Sequence, residues 1–242
     1  MTNAWEHRPV VAMGLTFAGP LGVAPGVDRD GGQIGALDLD GFGHIEIGTV
    51  TPQTRIAIGA RPRNLRVGIN FGSERQGLNE SVIADYCAAL RGAYSHADYL
   101  CANLSSPRGG RDGNSPGASA LIARVLEERD KFAAASGRCK PLLVKLAASH
   151  GDDRLPIALV EARGQKLDGL VLACSDLGVI ARTRELIADL TLISVGGVTT
   201  AADVASRLAA GATLVQTYSA FVNGAVQALR DCGAMPSPLT GH

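Results

Sequence analysis

Lys145 stands inside an apolar run, PLLVKLA, in a chain with four lysines against 19 arginines. At the end of a buried strand a lysine can hold an anionic group or an anionic cofactor ring. If desolvated, its amine can form a Schiff base, and an ion-paired or snorkelling side chain is the plain alternative. In Asn103-Leu104-Ser105-Ser106-Pro107 the proline fixes the backbone after Ser106 and can aim its hydroxyl at a ligand. Serine acts as a base only if a neighbour or a water chain removes its own proton, and a hydroxyl turn in a surface loop is the alternative. The segments SVGGV and TYSAF place Gly196, Gly197, Tyr218 and Ser219 just after apolar runs. Glycines there let backbone N–H groups approach an anion such as phosphate, unless the pair merely makes a tight turn. The loop RGGRDGNSPG (Arg108–Gly117) suits either an anion clamp or an unstructured connection. His44, His96 and His150 lie in separate segments without metal-ligand spacing, so no metal is expected. Asp98 and Asp168 precede apolar runs and are expected to cap strand starts.

Such residues need a scaffold, and the hydrophobic pattern outlines one. Short runs rich in β-branched residues predict strands at Leu21–Ala24, His44–Val50, Arg66–Asn70, Ala97–Ala102, Pro141–Leu146, Asp168–Ala173, Thr191–Val195 and Thr213–Thr217. Several do not alternate strictly, as expected of strands covered on both faces. Helical spacing predicts helices at Leu78–Tyr94, Ala118–Phe132, Arg154–Arg163, Val179–Leu190, Thr200–Ala210 and Ala220–Arg230. VTTAADVASRLAAGA reads as a whole unit, with Thr199 or Thr200 as N-cap and Gly211 as stop. Pro52–Asn64 holds two prolines and a glycine and reads as a loop. Eight strands alternating with helices predict an α/β chain folded as a (β/α)₈ TIM barrel, with a loop replacing the helix after the second strand. A doubly wound sheet gives the same local pattern and remains the rival.

Composition sets the outer bounds. The 242 residues show no linker or low-complexity tract, so one domain over residues 1–242 is expected. Lys+Arg and Asp+Glu balance at 23 each, which argues against a nucleic-acid or anionic-membrane binder. No apolar window is long enough for a transmembrane segment. The N-terminus lacks the pattern of a secretory signal, and five scattered cysteines read as reduced thiols, so a cytoplasmic protein is expected.

Taken together, the motifs resemble those of the dihydroorotate dehydrogenase family. They are PLGVAPGVDRDG, GFGHIEIGTVTP, GINFGS, ANLSSP, VKLA, SVGGV and LVQTYSAF, in that order and each after a predicted strand. The resemblance implies an FMN-dependent barrel acting on CH–CH donors. It implies that Pro25 and Gly26 lie against the flavin, with Thr49 and Asn70 nearby. Asn103 would touch flavin and substrate, and Lys145 would face the anionic edge of the reduced ring. Gly196, Gly197, Tyr218 and Ser219 would hold the phosphate. Ser106 would be the catalytic base, as in the membrane-associated class rather than the cysteine-based soluble class.

The substrate positions depart from the family pattern. Arg29 stands for the first-loop lysine, Arg108 for an asparagine, and Cys174-Ser175 for an Asn-Thr pair. The stretch before GINFGS is short, the glycine-rich loop after the sixth strand is missing, and no N-terminal membrane-docking helical pair precedes the barrel. The expectation is therefore hydride exchange between FMN and a small anionic molecule bound by Arg29, Asn103, Arg108 and Ser175. The alternatives are a Schiff-base aldolase or lyase using Lys145, a non-catalytic FMN-binding barrel, and an authentic dihydroorotate dehydrogenase. A homodimer is left open.

Overall fold

A computed structural model describes residues 8–37, 39, 41–105, 117–149, 166–222 and 224. Strands β1 (Val10–Ala12) and β2 (Leu15–Phe17) form an antiparallel hairpin. Then follow β3 (Leu21–Val23), β4 (His44–Val50), β5 (Arg66–Phe71), α1 (Glu80–Ala93), β6 (Tyr99–Asn103) and α2 (Gly117–Ser136). The chain continues with β7 (Leu142–Ala147), β8 (Gly169–Ala173), α3 (Leu177–Ile187), β9 (Thr191–Val195), α4 (Ala201–Ala209), β10 (Leu214–Thr217) and α5 (Ser219–Val222). Strands β3 to β10 close into a parallel barrel in the order β10-β3-β4-β5-β6-β7-β8-β9. Closure excludes the doubly wound rival, and every barrel strand falls within two residues of its predicted bounds.

Period-two alternation divides the strand residues between two cores. Ile45, Ile47, Val67, Ile69, Leu100, Val144, Leu170 and Leu192 belong to the cluster that packs the strands against the helices. Tyr99, Cys101, Leu143, Val171, Ile193 and Leu214 form a second, smaller cluster inside the barrel. Helix starts follow their caps. Asn79 accepts the Val82 N–H ahead of α1, and Thr200 and Asp203 form a reciprocal capping box on α4. Gly211, with φ +101°, follows α4 as its stop. Asp98 accepts the Val67 N–H and Asp168 the Leu142 N–H, so both aspartates hold strand starts as expected.

Among the described residues two slots lack a helix, not the single one expected. Pro52–Asn64 is a loop, and the segment between β3 and β4 holds turns around Gln33–Leu37 in place of a helix. Glycine and aspartate crowd the latter (DRDGGQIGALDLD), which favours turns over helical propagation. The hairpin is a further addition. It closes the barrel floor, with Phe17 fully buried edge-on to His44 at 5.5 Å and Arg66 Nε donating to Thr16 O at 2.8 Å. His44 is fully buried and neither ring nitrogen has a hydrogen-bond partner; burial lowers its pKa to about 3, so the ring is neutral. Gly22 is needed beside it, because a Cβ there would meet the imidazole at 2.2 Å.

The expected helix at Arg154–Arg163, the loop from Ser106 to residue 116, His150, Cys232 and the last helix beyond Gly224 lie outside the described residues. The four described cysteines are free, and among the described residues no helix is long and apolar enough to cross a membrane.

Candidate active site at the barrel mouth

The C-terminal strand ends of a barrel form its functional face. Here β4, β5, β6 and β7 bring Thr49, Asn70, Asn103 and Lys145 together. Asn103 and Lys145 are register partners on adjacent strands. Asn103 Nδ2 donates to Thr49 Oγ1 at 2.9 Å, and Thr49 Oγ1 donates to Asn70 Oδ1 at 2.9 Å. Asn70 Nδ2 donates to Glu46 Oε1 at 3.0 Å, while Glu46 Oε2 accepts from Tyr99 at 3.2 Å and from Gln216 Nε2 at 3.0 Å. A carboxylate only accepts, so Glu46 fixes which way every amide in this relay faces. Asn103 Oδ1 in turn accepts the N–H and the hydroxyl of Ser105, an Asx-turn at the strand end. The Tyr86 hydroxyl donates to the Asn103 carbonyl. Asn70 is fully buried, so it lies one layer beneath exposed Thr49 and half-buried Asn103.

Lys145 is half-buried and has no hydrogen-bond or ion-pair partner among the described residues. Beside it Cys101 is fully buried, and burial, followed by the Glu46 charge, raises its thiol well above the usual range. A neutral thiol cannot neutralise the ammonium.

On the opposite side of the mouth, β9 runs into Gly196 and Gly197, whose φ values are +114° and +69°. Both angles lie in the region that favours glycine. The N–H groups of Gly196, Gly197, Tyr218 and Ser219 have no acceptor among the described residues. Tyr218 is 44% exposed and covers Gly26, where a Cβ would stand 3.1 Å from its ring. Pro25 and Gly26 thus meet the β10 end. Asp28, fully buried, holds their loop by accepting the N–H groups of Gly31 at 2.9 Å and Gln33 at 3.0 Å. Arg29 projects from this loop and is exposed.

At the end of β8, Cys174 is buried and Ser175 exposed. Asp176 immediately caps α3, accepting from Gly178 N at 2.8 Å and Val179 N at 3.2 Å. No space remains there for a glycine-rich loop. Ser106 and Arg108 lie outside the described residues. Glu46, Asp28 and Arg207, a buried cation behind the glycine turn, were not singled out from sequence. A signal for Glu46 is present in HIEIG, whose alternation sends both isoleucines outward and His44 and Glu46 inward.

Comparison with known proteins decides the family. A curated relative from Dichelobacter nodosus, dihydroorotate dehydrogenase (quinone), is 32% identical over 296 residues, covering 96% of this chain and 88% of the relative. The chain belongs to the dihydroorotate dehydrogenase family. A family model described as dihydroorotate dehydrogenase matches residues 174–232. The quinone enzyme of Rhizobium leguminosarum is 34% identical over 279 residues, covering 86% of this chain and 75% of that protein. The solved structure of the Eimeria tenella protein in complex with ferulenol shares the fold, with TM-score 0.73 at 20% identity, covering 95% of this chain and 84% of that one. The 296-residue alignment exceeds the 242 residues present here, so the Dichelobacter dihydroorotate dehydrogenase carries segments with no counterpart in this chain.

Proposed function

We propose that this protein is an FMN-dependent oxidoreductase of the dihydroorotate dehydrogenase family that exchanges hydride with a small anionic substrate, using Ser106 as the base. One observation carries the reading. Among the described residues, the mouth pairs a lysine cation without an ion-pair partner on one side with a glycine turn whose N–H groups meet no acceptor on the other. A ligand with an electron-rich ring edge and a separate phosphate matches that donor set, so the residues fit FMN.

When bound, FMN would supply the hydride acceptor. Lys145 Nζ would offer its charge to the anionic ring edge, where a charge-assisted contact contributes about 1.5–3 kcal/mol. Asn103, held by Thr49 and Ser105, would present its remaining amide N–H to ring and substrate. Asn70 would act from beneath by holding Thr49. Pro25 and Gly26, with Tyr218 over them, would bound the ring. Gly196, Gly197, Tyr218 and Ser219 would hold the phosphate through backbone donors. The Ser106 Oγ would take the substrate proton while its own passes to solvent.

The substrate side favours an anion other than dihydroorotate. A planar pyrimidine is recognised by amides, because each offers both a donor and an acceptor. In this chain Cys174 is buried in the layer between strands and helices, its Sγ accepting the Asp176 N–H at 3.4 Å, and Arg108 stands where an amide is expected. Ring N–H groups without acceptors cost roughly 1–3 kcal/mol each, so two losses imply about 10²–10⁴-fold weaker transition-state binding. Arg29 and Arg108 instead suit a carboxylate held by guanidinium forks.

The test is the visible spectrum of the purified protein, followed by anaerobic titration with dihydroorotate and with small carboxylates. Flavin absorption bleached by a carboxylate and not by dihydroorotate is the expected result. A colourless protein that takes up no added FMN would refute the cofactor, and rapid saturable bleaching by dihydroorotate would refute the altered substrate.

A further inference from the structure

Arg207 on α4 is 3% exposed and, among the described residues, has no carboxylate within ion-pair distance, the charge of Asp203 acting on it only at longer range. Its Nη1 donates to Ser194 Oγ at 2.6 Å and to the Cys174 carbonyl at 2.8 Å, and its Nη2 donates to the Gly196 carbonyl. The other buried arginine in the described residues behaves differently. Arg129, 4% exposed, is paired with Asp130 at 2.8 Å and Asp168 at 3.2 Å. Asp203, one turn ahead of Arg207, is committed to the helix cap, where its Oδ2 accepts from Thr199 N at 2.9 Å and Thr200 N at 2.8 Å. A buried charge held only by neutral acceptors is expensive, and a ligand of opposite charge would offset that cost.

The neighbourhood says where such a ligand would sit. Arg207 Nη2 lies 4.0 Å from the point a Cβ on Gly197 would occupy, directly behind the glycine turn. The carbonyl of Gly196 and the N–H of Gly197 belong to one planar trans peptide and point in opposite directions. Drawing the carbonyl toward Arg207 therefore turns the Gly197 N–H away from the guanidinium and out of the protein. The first turn of α3 offers no such donors, because its Gly178 and Val179 N–H groups are capped by Asp176.

We propose that Arg207 is a positioning residue for the phosphate-bearing end of the ligand: it aims the Gly197 N–H outward and supplies the buried positive charge that a phosphate dianion balances. The inference rests on the FMN reading above, and its test separates the two. Riboflavin has the same ring as FMN and no phosphate. Apoprotein of wild type, Arg207→Met and Arg207→Lys would be titrated with both flavins by fluorescence quenching, with folding checked by circular dichroism. Wild type is expected to bind FMN more tightly than riboflavin. Arg207→Met should lose about 10–100-fold in FMN affinity with riboflavin affinity unchanged, because only the phosphate loses a charged partner. Arg207→Lys should fall between, since it keeps the charge but cannot span three acceptors, and it decides the matter if the methionine variant does not fold. A parallel loss for both flavins, or no loss for either, would overturn the proposal and leave the cofactor assignment standing. Wild-type protein that takes up neither flavin would overturn both.

Discussion

The floor and the mouth of this barrel both contain nitrogen atoms without hydrogen-bond partners, and the two cases mean different things. At the floor, His44 is sealed beneath the β1–β2 hairpin, and it is uncharged. Its lack of partners is a packing matter, tolerated because a neutral ring loses less on desolvation than an ion. At the mouth, the groups without partners among the described residues are a lysine ammonium and a set of backbone N–H groups in half-buried to exposed residues. Charge and access together distinguish a site from a sealed core. Changes at the mouth should therefore alter ligand binding and leave stability alone, and changes at the floor should do the reverse.

The largest effect expected is on the proposed proton transfer. Ser106→Ala should slow anaerobic flavin reduction by ~10²–10⁴-fold while FMN affinity stays the same, the range for a positioned acid–base group. Stopped-flow reductive half-reactions check it, and an unaltered rate would return Ser106 to a turn residue. Next, Lys145→Ala should weaken FMN binding by about 10–100-fold with little change in the urea midpoint, since the lysine has no hydrogen-bond or ion-pair partner among the described residues. A large stability loss without a change in FMN affinity would erase the contrast between floor and mouth.

At the floor, the folded protein keeps His44 neutral to about pH 3, whereas the unfolded chain takes up the proton near 6.5. The unfolded state therefore binds more protons between these values. Stability should fall as pH drops below 6.5, by up to roughly 1.4 kcal/mol per pH unit from this residue. Urea unfolding of wild type and His44→Phe between pH 6.5 and 5 measures it, and equal slopes would disprove the assignment. Gly22→Ala presses a methyl into the same ring and should cost about 1–3 kcal/mol with flavin affinity unchanged. The smallest effect concerns Arg29→Ala. The side chain is exposed, so substrate affinity should fall only about threefold to tenfold, with FMN binding intact. A change in FMN affinity would move Arg29 out of the substrate side.

The barrel was legible because its strands are short apolar runs separated by amphipathic helices, and because β4 and β9 coincide with their predicted bounds. The hairpin was not. Each of its strands has three residues, and the turn uses Met13 at φ +44° with Gly14 at +74°, a weak signal beside longer runs. At the mouth, Lys145, Asn103 and Gly196–Gly197 could be read from sequence because an isolated polar residue or a glycine pair at a strand end is locally conspicuous. Arg207 escaped because nothing local marks it. It sits in an alanine-rich helix, and its acceptors lie on β9, in the turn after it and at the end of β8. Asp28 escaped for the opposite reason, since one more aspartate in a turn-rich stretch carries no distinguishing mark.

The barrel closes where its first and last strands meet, with Val215 beside Leu21 and Thr217 beside Val23. These partners are separated by nearly the whole described chain, so their pairing is long-range and has a large loop-closure entropy to overcome. Tyr218 covers Gly26 directly above this seam, and the glycine turn flanks it on β9. Half of the mouth therefore exists only after the ring has shut. Whatever binds across the seam holds the first and last barrel strands together and acts as a clasp on the folded state, adding stability that grows with the logarithm of its free concentration.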